Sequence, residues 1–241
     1  MEFHLDSDIF EIIKNGTKHI EVRLNDEKRR KLKIGDKLTF LRRPNDDSSI
    51  DALVKNLKVY KNFEELVKDY DIKDMYLENY TKEEFLKLLE RFYTIEEQEK
   101  YGVVAIDFEK YEKACGIVVF NDNDEILMIC HIKGHWGIPK GHVEANETEI
   151  ETALREVLEE TNIKVDIIDG FKTTITYNPK INTTKDVVFF IGKAINSDIK
   201  KQDEEIAVAD FYNYIEALEL VKEYPDVQGI LKKAYKFYKG E

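Results

Sequence analysis

Residues 141–163, GHVEANETEIETALREVLEETNI, constrain the chain more than any other stretch. Within them Ile150, Ala153, Leu154, Val157 and Leu158 fall at i, i+3, i+4, i+7 and i+8, the spacing of one apolar helical face. On the opposite face Glu156 and Glu160 lie one turn apart, and Glu159 is three residues from Glu156, so these carboxylates share a short arc. Like charges at that spacing repel by roughly a few tenths of a kcal/mol per pair, and a cation is expected among them. Oxygen-only ligands suit a hard ion, Mg²⁺ or Mn²⁺. Such ions bridge phosphate oxygens and activate water, which points to phosphoryl chemistry. Helical spacing alone does not settle the matter, because glutamate-rich faces are ordinarily just solvated, and Glu149 lies on the same arc.

The rest of the chain sets bounds. At 241 residues it is long for one compact unit, and two domains are expected. Its 37 Lys and Arg against 49 Asp and Glu, a formal charge of −12, argue against indiscriminate coating of DNA or anionic membrane but leave room for a local basic patch. No apolar run reaches the roughly 18 to 20 residues of a bilayer span, and MEFHLDSDIF lacks the basic-then-apolar order of a signal peptide. A cytoplasmic protein without a membrane partner is expected. Cys115 and Cys130 form no CxxC pair and have no other thiols beside them, so they read as buried small hydrophobes in strands.

Along the first 110 residues, short helical and strand patterns alternate. Ser7 can cap a helix carrying Ile9, Phe10, Ile12 and Ile13 that ends at Asn15-Gly16. Residues 19–24 alternate, with Ile20, Val22 and Leu24 on one side and Glu21 and Arg23 on the other, the mark of a half-buried strand. Further strands are expected at 37–41, 50–60 and 102–108, and a helix at 63–70. Thr81 with Glu84, and Thr94 with Glu97, have capping-box spacing. The charged stretch 109–113, EKYEK, has no apolar period, and the boundary is placed there, giving domains 1–110 and 114–241. Residues 115–120 and 126–132 read as strands around an NDND turn.

At fixed spacing Gly141, Glu147, Arg155, Glu156, Val157, Glu159, Glu160 and Ile163 match the Nudix box, G-x5-E-x7-R-E-U-x-E-E-x-G-U with U aliphatic. The region therefore resembles the Nudix hydrolases. One position departs: the final glycine of the box is Asn162. That glycine ends the helix in a left-handed conformation, where Asn is the next-best residue. The resemblance implies that the loop backbone at Lys140-Gly141 and the side chains of Glu156, Glu159 and Glu160 hold Mg²⁺ or Mn²⁺. It implies that Arg155 orients a glutamate, that Glu147 braces loop against helix, and that water attacks one phosphorus of a diphosphate linkage.

The flanks HWGIPKGHVE (135–144), KDVVFFIGKA (185–194), DEEIAVADFYNYIEAL (203–218) and the late AYKFY look like the asymmetrical diadenosine tetraphosphate hydrolase branch. By that likeness His135, Lys140, His142 and Lys185 contact a dinucleoside polyphosphate, and Phe189 and Phe237 sandwich an adenine. Glu205 matches a late glutamate that serves as metal ligand or general base. Glu204 beside it leaves the register open, and Glu156 and Glu205 compete for the base role.

In the first part, IIKNGTKHIEVRLNDEKRRKLKIGDKLTF, with the later KVYKNFEEL and RFYTIEEQEKYGVVAIDF, resembles an ASCH domain, a small β-barrel of the PUA-like group associated with RNA. Lys18, Glu21 and Arg23 line one strand face as ligand candidates. Lys28, Arg29, Arg30, Lys31, Lys33, Arg42 and Arg43 add a basic cluster suited to a phosphate backbone. Some ASCH proteins hydrolyse N4-acetylcytidine with a Lys, a Thr and a Glu; Lys18 matches that lysine but Glu21 stands in the threonine's place, which favours binding over catalysis. The expected architecture is α+β, an N-terminal PUA-like β-barrel plus a C-terminal Nudix α/β/α sandwich. The foremost functional reading is cleavage of diadenosine tetraphosphate to ATP and AMP. Pyrophosphate removal from an RNA 5′ end, and a nucleotide-sensing RNA-binding module, stay open beside it.

Overall fold

The computed structural model describes residues 1–144 and 146–241. They divide into two compact units, Met1–Glu112 with Asn178–Thr184, and Lys113–Tyr177 with Lys185–Glu241. The stretch 109–113, where the sequence places the boundary, lies inside one long strand, Val103–Phe120, which runs through both units. Its four charged residues flank Tyr111, and with neither Gly nor Pro in the stretch a pleated backbone runs through it without a turn.

The first unit comprises β1 (Glu2–Leu5), α1 (Ser7–Lys14), β2 (Ile20–Leu24), β3 (Lys37–Arg42), β4 (Ser49–Tyr60), α2 (Phe63–Asp69), α3 (Ile72–Met75), α4 (Lys82–Glu90), α5 (Ile95–Tyr101) and the start of β5 (Val103–Phe120). Thr81 and Thr94 form the anticipated capping boxes of α4 and α5. The N-cap of α1 is Asp6, one residue before the expected Ser7. Strands pair in the order β1-β3-β4-β5-β2, with β1 parallel to β3 and the others antiparallel. No pairing among the described residues joins β2 to β1, so the sheet is open and not the closed PUA-like β-barrel expected from the sequence.

Along β5 the side chains sort by parity. Val104, Ile106 and Phe108 pack with α1, β1, β3 and β4, whereas Val103 and Ala105 pack with Ile20, Val22 and helices α2 to α4. Strand β2 departs from the half-buried expectation, because Glu21 is only 2% exposed.

The second unit continues β5 and adds β6 (Ile126–His131), β7 (Trp136–Gly137), β8 (Lys140–His142), α6 (Glu149–Thr161), β9 (Val165–Ile167), β10 (Thr173–Lys180), β11 (Thr183–Ala194), β12 (Ile206–Tyr212), α7 (Tyr214–Leu220) and α8 (Pro225–Lys239). Cys115, Ile117 and Val119 of β5 face Ala153 and Val157 of α6, while Ala114, Val118 and Phe120 face Ala217, Ile230, Leu231 and Ala234 of α7 and α8. Helices thus cover both faces of the sheet, in the layered manner expected. Both cysteines are buried and free. Among the described residues no helix is long and apolar enough to cross a membrane.

Candidate functional site

Helix α6 begins at a capping box: the Thr148 side chain accepts from the Glu151 N–H and the Glu151 carboxylate accepts from the Thr148 N–H. It ends at Asn162, whose φ of 61° is the left-handed turn that the missing glycine would have made. Its buried face is rotated from the one expected. Ala153 and Val157 are fully buried, but Ile150 and Leu158 are exposed, and Thr152, Glu160 and Thr161 are buried in their place. Glu160 therefore does not lie on an outward arc. It sits under β8, where its Oε2 accepts the Lys140 N–H at 3.0 Å.

Strand β8 sets the loop against this helix. Its register with β5 places Gly141 opposite Cys115, and a Cβ added to Gly141 would fall 2.0 Å from the carboxyl carbon of Glu156. Only a residue without a side chain lets the backbone come so close.

Arg155 is the hub of the cluster. Its Nε donates to Glu147 Oε1 at 2.6 Å and one terminal nitrogen donates to Glu147 Oε2 at 3.0 Å, a bidentate pair. That nitrogen also donates to the His142 carbonyl at 2.9 Å, and the other reaches Glu156 at 2.8 Å and Glu159 at 3.0 Å. Glu147 further accepts from the Thr152 hydroxyl at 2.7 Å and from the Glu144 N–H at 3.1 Å. The Arg155 hydrogen bonds, then that of Thr152, hold the Glu147 carboxyl down to about 2. Glu147, foremost among the partners, in turn holds the guanidinium above its ordinary value.

Glu160 is displaced the other way. Burial pushes it up to about 8; the Lys140 charge and N–H oppose this, and the charges of Glu156 and Glu205 add to it. Glu205 lies exposed just before β12, in a segment tied to the end of α6 by Lys200 N–H to Thr161 O at 3.0 Å and Gln202 N–H to Glu160 O at 3.2 Å. Glu205 is among the charges that raise Glu160.

These residues fit a divalent ion by their chemistry: an oxygen-only donor set, a glycine backbone against a carboxylate, and a glutamate raised by burial and, to a lesser extent, by neighbouring negative charge. Among the described residues no three His, Cys, Asp or Glu side chains already form a metal cage. Arg155 accounts for this, since it draws Glu156 and Glu159 to itself. Glu149 is excluded from the set because Lys113 and Lys172 both pair with it.

Around the cluster, the Nδ1 of His135 is 2.9 Å from the Tyr224 hydroxyl, and the Lys185 ammonium is 3.1 Å from His142 Nε2. Phe189 and Phe237 are not presented as a pair of open stacking rings. Phe189 is 1% exposed and packed in the core, because odd-numbered positions of β11 face α7 and α8. Phe237 is 40% exposed and meets Phe171 edge-to-face at 5.5 Å. Two contributors escape sequence inspection. Thr152, a buried helix threonine, braces Glu147, and His131 at the end of β6 is lowered by burial and by the Lys140 charge, with Glu205 opposing. No spacing rule marks either.

In the first unit Lys18, Glu21 and Arg23 do come together. The Lys18 ammonium is 3.0 Å from Glu21 Oε2 and donates to the carbonyls of Ile20 and Met75, while Arg23 pairs with Glu21 Oε1 at 2.6 Å. Burial lowers Lys18 against the raising effect of Glu21. The Glu21 carboxyl is lowered overall, since Arg23 and Lys18 outweigh its burial.

The described fold comprises two units, the second carrying a carboxylate cluster organised by an arginine against a glycine backbone, and comparison with known proteins gives the family. The NUDIX domain family matches residues 110–233 and the ASCH domain family matches residues 4–112. The chain belongs to the Nudix family and carries an ASCH domain on the N-terminal side. It is 31% identical over 144 residues to the mouse (Mus musculus) bis(5′-nucleosyl)-tetraphosphatase [asymmetrical], covering 52% of this chain and 94% of that protein. It is also 31% identical over 88 residues to an RNA pyrophosphohydrolase of Bartonella henselae, covering 32% of this chain and 51% of that protein. Among solved structures, a C. elegans Ap4A hydrolase binary complex matches with a TM-score of 0.49 and 27% identity, over 54% of this chain and 99% of that one.

Proposed function

We propose that the second unit hydrolyses a diphosphate linkage in a dinucleoside polyphosphate, with diadenosine tetraphosphate yielding ATP and AMP as the foremost substrate. The observation that carries the reaction class is the packing of Gly141 against Glu156, within a carboxylate cluster that Arg155 organises. The substrate reading is supported by the likeness to asymmetrical tetraphosphatases over 94% of the mouse protein's length.

Glu156, Glu159 and Glu160, with the Lys140-Gly141 backbone, would hold Mg²⁺ or Mn²⁺; such an ion neutralises phosphate charge and lowers the pKa of water. The protein's own groups do the positioning. Arg155 and Glu147 fix the direction of the first carboxylate through a bidentate pair, which removes rotamer freedom from the reacting geometry. Lys140, Lys185, His135 and His142 place positive or donor groups where a chain of phosphates would lie. Glu205 and Glu156 are the two candidate bases, and Glu205 is the more exposed to water. Phe237, with Phe171 beside it, offers the accessible ring for a base to stack on.

For the first unit, the buried Lys18-Glu21-Arg23 cluster and the basic residues near it support RNA or nucleotide binding. That domain, with the likeness to an RNA pyrophosphohydrolase, favours a second reading in which the substrate is an RNA 5′ end. Product analysis on the full chain with Mg²⁺ separates them. ATP plus AMP from diadenosine tetraphosphate is expected. Pyrophosphate release from triphosphorylated RNA without dinucleotide cleavage would establish the second reading, and RNA binding with no turnover of either substrate would leave a binding module.

A further inference from the structure

The open seam of the first sheet is a cavity. Strands β1 and β2 are the two ends of the strand order, and a space of about 520 Å³ lies between them, lined by residues 2–6 on one side and Glu21, Val22 and Arg23 on the other. Helix α4 and the segment after it add Phe85, Phe92 and Tyr93 to the lining, and Tyr76 adds a further ring. Side chains bridge the seam: the Arg23 guanidinium lies over the Phe3 ring, 5.3 Å from its centroid.

The charges there do not balance. Lys18, Arg23, Lys28, Arg29 and Arg43 line the cavity against Glu2, Asp6 and Glu21, in a chain whose net charge is −12. Lys18 and Arg23 share the single carboxylate of Glu21 at 3.0 and 2.6 Å, which leaves one positive charge in that buried cluster, and Lys28 and Arg43 stand exposed to solvent, Arg43 within 3.8 Å of Asp6. Two buried polar atoms lack a hydrogen-bond partner among the described residues, Glu21 Oε2 and Arg29 Nε. Oε2 has the Lys18 ammonium 3.0 Å away as its ion-pair partner. Arg29 spends a terminal nitrogen on Asp26 at 2.6 Å. Lys28 makes no ion pair with the described residues.

We infer that this seam cavity binds a nucleoside monophosphate, its phosphate met by Arg29, Lys28 and Arg43, its base set between the aromatic walls with an N–H directed to Glu21. The inference rests on the nucleotide-binding reading of the first unit and deepens it. The volume is within the range of pockets for ligands of that size, roughly 300–1,000 Å³. A neutral nucleoside leaves the cation surplus unmatched, and inorganic phosphate leaves the rings and Glu21 unused, so each binds more weakly than the two joined.

The test is titration calorimetry of the full chain in EDTA, with AMP, CMP, GMP and UMP, and with adenosine, inorganic phosphate and a 5′-phosphorylated RNA 12-mer as separate arms. At least one monophosphate is expected to bind saturably at one site, at least about tenfold tighter than adenosine or phosphate, a difference of about 1.4 kcal/mol. Arg29→Gln and the surface variant Lys28→Ala are each expected to weaken that binding about tenfold or more with unchanged thermal melting. Absence of monophosphate binding, or binding indifferent to both variants, overturns the inference. If the RNA 12-mer binds while no monophosphate does, the inference fails and the RNA reading of the domain stands; if nothing binds, both fail.

Discussion

Gly141 and Glu156 occupy one another's space so completely that a methyl group on residue 141 would stand 2.0 Å from the glutamate's carboxyl carbon. The group in the way is the end of a flexible side chain, so in Gly141→Ala the carboxylate turns aside while the fold holds. Turnover of diadenosine tetraphosphate should fall about 100-fold, the scale of a displacement of about 1 Å at a reacting centre. The thermal midpoint should move by less than about 4 °C, which corresponds to about 1 kcal/mol in a chain of this size. Full activity in this variant would refute the close-approach argument.

The Glu147-Arg155 pair makes a prediction in pH. Glu147 is held down to about 2 from an ordinary 4.5, chiefly by Arg155. A carboxyl lowered on folding contributes stability that is complete above the unfolded value and is lost as pH falls through the folded one, so its window runs from about 4.5 down to about 2. Thermal melts of the full chain should lose midpoint across that window, and Glu147→Gln should lose less. Parallel curves for the two proteins would show that the pair does not couple to folding.

Glu159→Gln and Glu160→Gln should each lower turnover at least about 100-fold, because each removes a charge from the proposed ion site. Glu160→Gln should not destabilise the metal-free chain, since burial already disfavours its carboxylate and the amide oxygen can still accept the Lys140 N–H. Mg²⁺ should raise the wild-type thermal midpoint, and should raise that of either variant less, as expected of a ligand that binds only the folded state. An equal rise in all three would place the ion elsewhere.

Asn162 tests the one departure from the box. Its left-handed backbone, together with the bond from its side-chain amide to the Asp198 carbonyl at 2.9 Å, predicts that Asn162→Ala costs about 1–2 kcal/mol in urea denaturation. Asn162→Gly should lie within about 0.5 kcal/mol of wild type, the gain in backbone freedom offsetting the lost bond. A neutral alanine variant would show that the helix ends without help from this residue.

What the residues dictate locally was legible without coordinates. The capping boxes at Thr81 and Thr94 depend on two side chains three apart, and the left-handed end at Asn162 depends on one residue's backbone preference. The carboxylate cluster of α6 follows from helical repeat and box spacing, and the shared face of Glu21 and Arg23 follows from strand alternation, whereas Lys18, before the strand and of the opposite parity, meets Glu21 only in the folded chain. Tertiary structure decided the rest. Glu160 is buried because β8 lies over it, and Phe189 is a core ring because helices cover both faces of β11; helical and strand periodicity say which side a residue faces, not what will cover that side. The seam between β1 and β2, with its uneven charge, depends on residues from position 2 to position 93 meeting at one place. Closure of a sheet is a balance between its two edges, and no local stretch of chain contains both.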